Sequence, residues 1–279
     1  MSRTDFSGRV VWITGASSGI GEALALAFAH AGAQLILSGR RTDELERVAA
    51  ACGRLAPFVL PLDLTRPQEF APAVVQVQRH FGRLDVLVHN AGVGQRALAH
   101  ETLPAVERAI MEVNYFGPIG LTKAALPLLL ASGTGSVVVI SSVMAYLGTP
   151  RRSAYAASKH ALHGWFDSLR EEVRPGGLHV GLICPGYVNT NLFAHALTAT
   201  GAAPARADRG PARGIAPTVC ARAILRAVAQ RRDEILVGGA EIWAVRLKRF
   251  APRLWSRLLR RAVARGRFGH CPAPSSPLP

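Results

Sequence analysis

A tyrosine and a lysine four residues apart, Tyr155 and Lys159, are the residues in this chain whose spacing most directly suggests chemistry. Within a helix, that spacing places both side chains on one face, a single turn apart. A free tyrosine has a pKa of roughly 10, which is too high for efficient proton transfer near neutral pH. A neighbouring ammonium stabilises the tyrosinate and lowers that pKa. The pair is therefore suited to general acid–base catalysis.

Lys159 is one of only three lysines among the 33 basic residues, the others being Lys123 and Lys248. Where a chain prefers arginine, a retained lysine suggests a need for its compact ammonium. The pair is weak evidence when taken alone, because surface helices produce the same spacing by chance. The other motifs decide how it is interpreted.

A glycine-rich segment, TGASSGIG at residues 14–21, follows the first predicted strand and opens the first predicted helix. Small residues in such a turn let the backbone approach a pyrophosphate, whose charge is favoured at a helix N-terminus. The spacing G-x3-G-x-G differs from the common dinucleotide fingerprint G-x-G-x-x-G. The functional interpretation is a dinucleotide site, and the alternative is a tight strand-to-helix connection. The candidate cofactor residues are Gly15, Ser17, Ser18, Gly19, Ile20 and Gly21.

Arg40 and Arg41 follow the second predicted strand, where an NAD-preferring enzyme usually carries an acidic residue for the ribose hydroxyls. An arginine there can instead bind the 2′-phosphate of NADP through charge-assisted hydrogen bonds. We expect Arg40 to favour NADP(H) over NAD(H), with Arg41 as a second candidate. The alternative is that both are ordinary surface arginines. Asp63, after the third predicted strand, is a candidate for the adenine amino group or for a helix cap.

Short apolar runs alternate with helix-patterned segments through the first 240 residues, and the run SVVVI at residues 136–140 is typical of a strand buried on both faces. This alternation predicts an α/β fold: a Rossmann-type doubly wound parallel sheet of about seven strands with helices on both faces. The predicted strands are residues 10–14, 34–38, 57–62, 84–89, 135–141, 178–184 and 234–237. The predicted helices are residues 21–31, 42–51, 67–81, 103–130, 153–173 and 218–231.

No linker divides these elements, so residues 1–240 are expected to form a single dinucleotide-binding domain. Residues 191–217, rich in Ala, Gly, Pro and Arg, are predicted to form a mobile loop or lid. Residues 241–269 form a basic amphipathic C-terminal extension. Residues 270–279 contain four prolines and are predicted to be disordered.

Charge is concentrated in the extension, because the formal net charge of the 279-residue chain is +15 and residues 241–279 carry nine basic residues against one acidic residue. The four cysteines, Cys52, Cys184, Cys220 and Cys271, form no CxxC pair, which indicates neither a metal site nor a disulfide framework. The N-terminus lacks the apolar run of a signal peptide, and no apolar run is long enough to span a bilayer. We therefore expect a cytoplasmic protein.

Residues 253–265 separate their side chains on a helical wheel into an apolar half with Trp255 and a half with five arginines. This pattern is typical of a helix that lies on an anionic membrane surface. The alternative is a helix packed on the protein's own body or on a second subunit. Nucleic-acid binding is not expected, because Trp255 lies opposite the cations instead of between them. The apolar half also contains Leu254, Leu258, Leu259, Ala262 and Val263.

Taken together, these motifs closely resemble the short-chain dehydrogenase/reductase family over about residues 8–239. The branch that the chain resembles most contains hydroxysteroid-dehydrogenase-like and other lipid-oriented reductases. The resemblance rests on TGASSGIG, Asp63, HNAG at residues 89–92, Asn114, Ser141-Ser142, YAASK at residues 155–159 and Pro185-Gly186. His89 departs from the family, because asparagine is most common there, and we expect a packing difference without loss of activity.

The resemblance implies an NAD(P)-dependent oxidoreductase acting on CH–OH groups, with Tyr155 protonating the substrate oxygen while nicotinamide delivers a hydride. Ser142 would orient that oxygen, Asn114 would anchor a water in a proton relay, and Lys159 would also hold the nicotinamide ribose. Local backbone capping is the alternative for Ser142 and Asn114. The remaining cofactor residues that it implies are Asp63, Leu64, Asn90, Ala91, Gly92, Pro185, Gly186, Val188 and Thr190.

Apolar residues near the predicted site suggest a bulky apolar carbonyl or alcohol substrate, steroid- or lipid-like, and the family suggests a homodimer or homotetramer joined through the helices beginning near Leu103 and Ser153. Two alternatives remain open: a non-catalytic dinucleotide-binding regulator, or a membrane-surface scaffold. The apolar residues are Val143, Met144, Tyr146, Leu147, Leu192 and Phe193.

Overall fold

The computed structural model describes residues 4–53, 56–192, 194–202 and 214–268. These residues form a seven-stranded parallel sheet in the order β3-β2-β1-β4-β5-β6-β7, with helices on both faces, which confirms the predicted fold. The strands are β1 (Val10–Thr14), β2 (Gln34–Ser38), β3 (Phe58–Val59), β4 (Val86–His89), β5 (Ser136–Ile140), β6 (His179–Pro185) and β7 (Glu234–Val237). The α-helices are α1 (Gly19–His30), α2 (Thr42–Ala51), α3 (Phe70–Phe81), α4 (Pro104–Met111), α5 (Gly117–Ala131), α6 (Ser153–Val173), α7 (Pro217–Ala229), α8 (Ile242–Phe250) and α9 (Pro252–Ala264).

The central strands are apolar along their whole length because each face of the sheet has its own core. Successive side chains of a strand point to opposite faces. In β1, Val11 and Ile13 pack with α1, α2 and α7, whereas Val10 and Trp12 pack with α3, α5 and α6. Both layers must be apolar at once, which explains why the strands read as continuous hydrophobic runs.

Most predicted elements are present, but three differ clearly from the prediction in extent or continuity. The predicted strand 57–62 is reduced to β3 (Phe58–Val59), and the predicted helix 67–81 begins with a 3-10 turn, Pro67–Glu69. The predicted helix 103–130 is interrupted by a π-helical segment, Glu112–Phe116. Pro118 explains that interruption, since it has no N–H to donate to the carbonyl oxygen four residues earlier.

The strand order reverses between β1 and β4, and this switch point places the predicted motifs together. Ligands of such sheets bind in the crevice beyond the carboxyl ends of the strands at that point. The amide N–H of Asn90, after β4, donates to Thr14 Oγ1 at 3.1 Å, and Asn90 Nδ2 donates to Gly15 O at 3.0 Å. The side chain of Asn90 therefore ties the end of β4 to the glycine-rich turn.

The segment predicted as a lid is anchored where the structure describes it. Leu197 N donates to Gly94 O at 2.9 Å, and Ile215 N donates to Tyr187 O at 2.9 Å. Residues 203–213, the centre of the predicted lid, and residues 269–279, which include the predicted tail, lie outside the described residues.

Within the described ranges, no helix is long and apolar enough to cross a membrane. The same residues contain no group of three or more His, Cys, Asp or Glu side chains that could hold a metal ion. Cys52, Cys184 and Cys220 are free thiols, and Cys271 lies outside the described residues.

Candidate active site

A cleft of about 590 Å³ opens at the carboxyl ends of the strands and contains most of the predicted site residues. Its volume is within the range of small-molecule sites. The cleft extends from the glycine-rich turn to an apolar end. Two predicted residues, Gly21 and Asn114, are not among its lining residues. The predicted residues that line it are Gly15, Ser17, Ser18, Gly19, Ile20, Arg40, Arg41, Asp63, Leu64, Asn90, Ala91, Gly92, Ser142, Tyr155, Lys159, Pro185, Gly186, Val188 and Thr190.

The glycine-rich turn needs glycine for two different reasons. Gly15 and Gly19 have φ values of 64° and 61°, a left-handed conformation that L side chains rarely adopt. At Gly21 the reason is space, because a Cβ there would lie 2.1 Å from Gly15 O. Gly21 therefore brings α1 close to the turn without contacting the cleft. The resulting cradle fits a pyrophosphate at the N-terminus of α1.

Arg40 and Arg41 both line the cleft where β2 ends. The Nη2 of Arg41 donates to Ser17 Oγ at 3.1 Å and to Ser18 Oγ at 3.4 Å. These two hydroxyls belong to the glycine-rich turn, so the Arg41 guanidinium already lies beside the predicted phosphate-binding backbone. The sequence favoured Arg40, and the geometry makes Arg41 an equal candidate.

Asp63 caps a turn and also lines the cleft, so the adenine contact stays a prediction beside the observed cap. Its Oδ1 accepts hydrogen bonds from Thr65 N at 3.0 Å and Thr65 Oγ1 at 2.9 Å. Partial burial raises the pKa of Asp63, but these hydrogen bonds and the charge of Arg40 lower it more, so the carboxyl pKa is below its usual value.

Ser142 lies just beyond β5 and joins two segments of the cleft wall. Its Oγ accepts a hydrogen bond from Met144 N at 3.1 Å and donates one to Pro185 O at 3.4 Å. The first contact is the local capping that the sequence allowed as an alternative. The second links Ser142 to the last residue of β6, so the hydroxyl lies between the β5 and β6 ends of the cleft.

Tyr155 and Lys159 lie one turn apart on the buried face of α6. The ammonium of Lys159 lies 5.9 Å from the centroid of the Tyr155 ring and donates to Ile140 O at 2.9 Å. Gln95 orients the start of the helix, since its Oε1 accepts hydrogen bonds from Ala154 N at 2.7 Å and Tyr155 N at 3.2 Å. Gln95 was not predicted.

Burial dominates the electrostatics of this pair. Desolvation raises the pKa of Tyr155, and the hydroxyl of Ser142 and the charge of Arg152 partly oppose it. Desolvation also lowers the pKa of Lys159 to about 8. The sequence predicts that the Lys159 ammonium lowers the pKa of the phenol, whereas in the structure burial raises that pKa, and the groups that partly oppose the rise are Ser142 and Arg152.

Asn114 lies behind the cleft in the π-helical segment, and its side chain is fully engaged. Its Oδ1 accepts from Val93 N at 2.8 Å, and its Nδ2 donates to Val93 O and to Ser158 Oγ, both at 3.0 Å. A Cβ placed on Gly92 would lie 3.2 Å from Asn114 Oδ1 and 3.8 Å from Lys159 Nζ. Asn114 and Lys159 therefore border the same small space at Gly92.

His89, the departure from the family motif, is a core residue at the end of β4. Its Nε2 lies 2.7 Å from Thr122 Oγ1, whose own hydroxyl proton goes to Pro118 O, so Nε2 is the protonated nitrogen. Burial lowers the pKa of His89 to about 3, and its Nδ1 has no hydrogen-bond partner within the described residues. His89 is therefore a neutral core residue outside the cleft, which agrees with the packing difference expected from the sequence.

The other end of the cleft is mostly apolar and includes residues from the C-terminal arm, which we define as residues 241–268. Trp255 of α9 packs with Val143, Leu147 and Val245 and lines the cleft. Leu254 and Leu258, which the wheel placed beside Trp255, are 47% and 41% exposed. For Trp255, the interpretation of this segment as a helix packed on the protein's own body is therefore correct. The lining residues at this end are Val93, Val143, Met144, Leu147, Thr149, Arg152, Leu192, His195, Leu197, Ala244, Trp255 and Phe268.

Two residues expected at the apolar end are not found there. Tyr146 does not line the cleft, because its hydroxyl turns to Cys184 Sγ at 3.5 Å. Phe193 lies outside the described residues. The residues that sequence reasoning missed include Arg152, three residues before Tyr155, and Gln95, Glu241 and Trp255, which reach the site from other segments. The spacing within one segment carries no signal for the last three, because their places depend on how the segments pack.

Three comparisons agree with this architecture. The model of the family described as "short chain dehydrogenase" matches residues 9–200. A curated relative from Anopheles gambiae, "Dehydrogenase/reductase SDR family protein 7-like", is 43% identical over 263 residues, which cover 91% of this chain and 83% of the relative.

Two solved structures are similar over most of their length. A short-chain dehydrogenase from Streptomyces avermitilis has a TM-score of 0.78 and 33% identity, covering 93% of this chain and 98% of that one. An alcohol dehydrogenase from the archaeon Thermococcus sibiricus, complexed with 5-hydroxy-NADP, has a TM-score of 0.72 and 27% identity, covering 83% and 97%. Both similarities cover most of this chain.

Proposed function

The chain belongs to the short-chain dehydrogenase family, and from that premise we propose an NADP(H)-dependent oxidoreductase that acts on a carbonyl or secondary alcohol of a bulky apolar substrate. One observation carries the proposal: a single cleft is bordered by the glycine-rich turn, by Ser142, Tyr155 and Lys159, and by an apolar end. Membership of this family identifies the chain as an NAD(P)-dependent oxidoreductase. The cofactor preference, the substrate class and the roles of individual residues are our proposals.

Bound NADPH would supply the hydride, and the residues of the chain would handle the proton. Tyr155 donates its phenolic proton to the substrate oxygen, and Ser142 holds that oxygen by a hydrogen bond. Lys159 binds the nicotinamide ribose and favours the tyrosinate that forms. Asn114 positions the Gly92–Val93 backbone beside Lys159, where a water can return the proton.

The preference for NADP(H) is supported by two arginines and no acidic residue directly after β2. A 2′-phosphate in that place would meet the Arg41 guanidinium, the Ser17 hydroxyl and the side chain of Arg40, all of which line the cleft. Charge-assisted hydrogen bonds of this kind are stronger than neutral ones. The solved relative from Thermococcus sibiricus, which is complexed with a modified NADP, supports the same choice.

The experiment that tests the function separates turnover from binding. Purified protein is mixed with NADPH and a panel of ketones and aldehydes, from small soluble compounds to steroid and long-chain ketones, and NADPH oxidation is followed. We expect turnover that rises with the apolar size of the substrate. NADPH binding without turnover of any compound would favour the alternative of a non-catalytic dinucleotide-binding protein.

We also propose that the C-terminal arm contacts an anionic membrane surface. Of the nine large apolar side chains that are exposed within the described ranges, four lie in α8 and α9: Trp243, Phe250, Leu254 and Leu258. The arginines of α9 lie beside them, and each basic side chain near an anionic surface contributes about 1 kcal/mol. Exposed apolar groups bordered by cations are typical of interfacial helices.

A homo-oligomer is the third part of the proposal. Three more of the exposed apolar side chains, Leu103, Phe116 and Leu130, lie along the α4–α5 region, part of which the family resemblance implies to be an interface. Sedimentation velocity measures the outcome: a dimer or tetramer supports the interface, and Leu103→Ser with Phe116→Ser should then shift the protein towards monomer.

A further inference from the structure

Glu241, the first residue of the C-terminal arm, borders the cleft from outside the matched residues 9–200. Its Oε1 accepts two backbone hydrogen bonds, from Tyr187 N at 2.9 Å and from Gly239 N at 3.0 Å. Tyr187 belongs to the turn after β6, and Gly239 belongs to the turn after β7. One carboxylate oxygen therefore joins the two turns at the edge of the cleft.

Local capping does not explain this carboxylate. Glu241 occupies the N-cap position of α8, but its side chain makes no cap hydrogen bond to that helix. It turns away to the β6 turn, 54 residues earlier in the chain. The side chain thus serves the cleft wall and not the start of its own helix.

The glycines around Glu241 give a second, independent observation. A Cβ on Gly186 would lie 2.0 Å from Glu241 Oε1, and one on Gly238 would lie 2.5 Å from the same atom. Gly186 does not have a positive φ, so space and not backbone conformation requires glycine there. The two turns are shaped to admit the carboxylate between them.

The arm also contacts the segment that follows Ser142. Lys248 Nζ donates to Tyr146 O at 2.5 Å, and Trp255 packs against Val143 and Leu147. Those contacts fix the segment that follows Ser142. The β6 turn and the Ser142 segment are therefore both anchored by residues of the arm.

We infer that Glu241 is a positioning residue for the nicotinamide end of the cofactor site, because it fixes the Pro185–Val188 turn through Tyr187 N. The inference rests on the proposed function, which assigns that turn to the nicotinamide. Gly186 N donates to Val237 O at 2.8 Å and Ile215 N donates to Tyr187 O at 2.9 Å, so backbone bonds hold the turn from two sides. The carboxylate is the acceptor for Tyr187 N, and without it that N–H loses its partner while the backbone bonds remain.

The test compares a whole cofactor with its adenosine end. Wild type, Glu241→Ala and Glu241→Gln are titrated with whichever of NADPH and NADH the wild type binds, and with the matching fragment, 2′,5′-ADP or ADP, which lacks nicotinamide. Losing a hydrogen bond to a charged group should weaken the whole cofactor at least about tenfold in Glu241→Ala. The fragment should bind within about twofold of wild type, because it does not contact the β6 turn.

Glu241→Gln keeps an acceptor oxygen and should lie between wild type and Glu241→Ala. Glu172→Gln, an exposed glutamate on α6 that does not line the cleft, is the matched control and should match wild type. Equal weakening of cofactor and fragment, or no weakening of either, would overturn the role of Glu241. A wild type that binds neither dinucleotide would instead overturn the proposed function.

Discussion

The Nη2 of Arg41 donates a hydrogen bond to the Oγ of Ser17 at 3.1 Å, across the mouth of the glycine-rich turn. The contact joins the end of β2 to the N-terminus of α1, which are the two places where a dinucleotide fold binds the 2′ position and the pyrophosphate. A guanidinium held at this position can bind a phosphate through charge-assisted hydrogen bonds.

Replacing Arg40 or Arg41 by alanine should weaken NADPH more than NADH. The loss of a hydrogen bond to a charged group costs roughly 1.5–3 kcal/mol, which corresponds to about 10- to 150-fold in the dissociation constant. The dissociation constants of both cofactors, measured for each variant, give the selectivity. If replacing an arginine weakens both cofactors equally, that arginine does not bind the 2′-phosphate.

Tyr155→Phe should reduce kcat by roughly 10²- to 10⁴-fold, because it removes the proton donor and leaves the ring. The affinity for NADPH should remain close to that of wild type. Lys159→Ala should reduce both kcat and NADPH affinity, since its ammonium is assigned to the ribose and to the tyrosine. Steady-state kinetics and direct cofactor titration separate the two effects. Substantial turnover by the phenylalanine variant would exclude Tyr155 as the acid.

The kcat/KM for NADPH should fall as the pH rises above about 8, because desolvation lowers the pKa of Lys159 to about 8. The ammonium is present below that pH and is lost above it, and kcat/KM reports the ionisation of the free enzyme. Lys159→Arg keeps its charge over this range and should move the fall to higher pH. A profile that is flat to pH 9.5 in the wild type would contradict the assignment.

His89→Asn should reduce the acid sensitivity of folding. The unfolded chain binds a proton at His89 with an ordinary pKa of about 6.5, whereas burial lowers the folded pKa to about 3. Unfolded chains therefore bind more protons between these values, and the free energy of unfolding falls as the pH falls through this window.

The measurement is the difference in unfolding free energy between wild type and His89→Asn, from denaturant titrations between pH 7 and pH 4. The difference should shift in favour of the variant as the pH falls, by at most about 1.4 kcal/mol per pH unit. The exposed His80→Asn is the control and should follow the wild type. A difference that does not change with pH would show that His89 has the same pKa in the folded and unfolded chains, and would contradict its burial as a neutral side chain.

Leu254→Glu with Leu258→Glu should release the protein from anionic liposomes. These positions are exposed, whereas Trp255 lines the cleft. Replacing Trp255 could therefore change substrate binding as well as membrane binding. Val219→Glu on α7 is a matched control, because Val219 is 43% exposed and lies outside the arm.

Liposome sedimentation at low salt and at physiological salt gives the readout. Binding should weaken with salt, since charges on the surface are screened beyond about 8 Å at physiological ionic strength. Failure of the wild type to bind anionic liposomes at low salt would exclude the membrane contact. If the double variant instead dissociates an oligomer, the exposed leucines belong to a subunit interface.

The sequence alone determined the features that depend on spacing within one element or on neighbouring elements. The apolar runs specified strands buried on both faces, and the turn after β1 carried its glycines at positions 15, 19 and 21. The separation of Tyr155 and Lys159 placed both side chains on one side of α6. These properties are periodic and local, so they can be read along the chain.

The tertiary structure decided which distant residues complete the site. Gln95 reaches Tyr155 N across 60 residues, and Glu241 reaches Tyr187 N across 54. The wheel of α9 likewise defined an apolar side but not what that side contacts, and the fold turned Trp255 into the cleft while leaving Leu254 exposed. A helix pattern sets which side chains share a face; only the packing of the whole chain determines the surface against which that face lies.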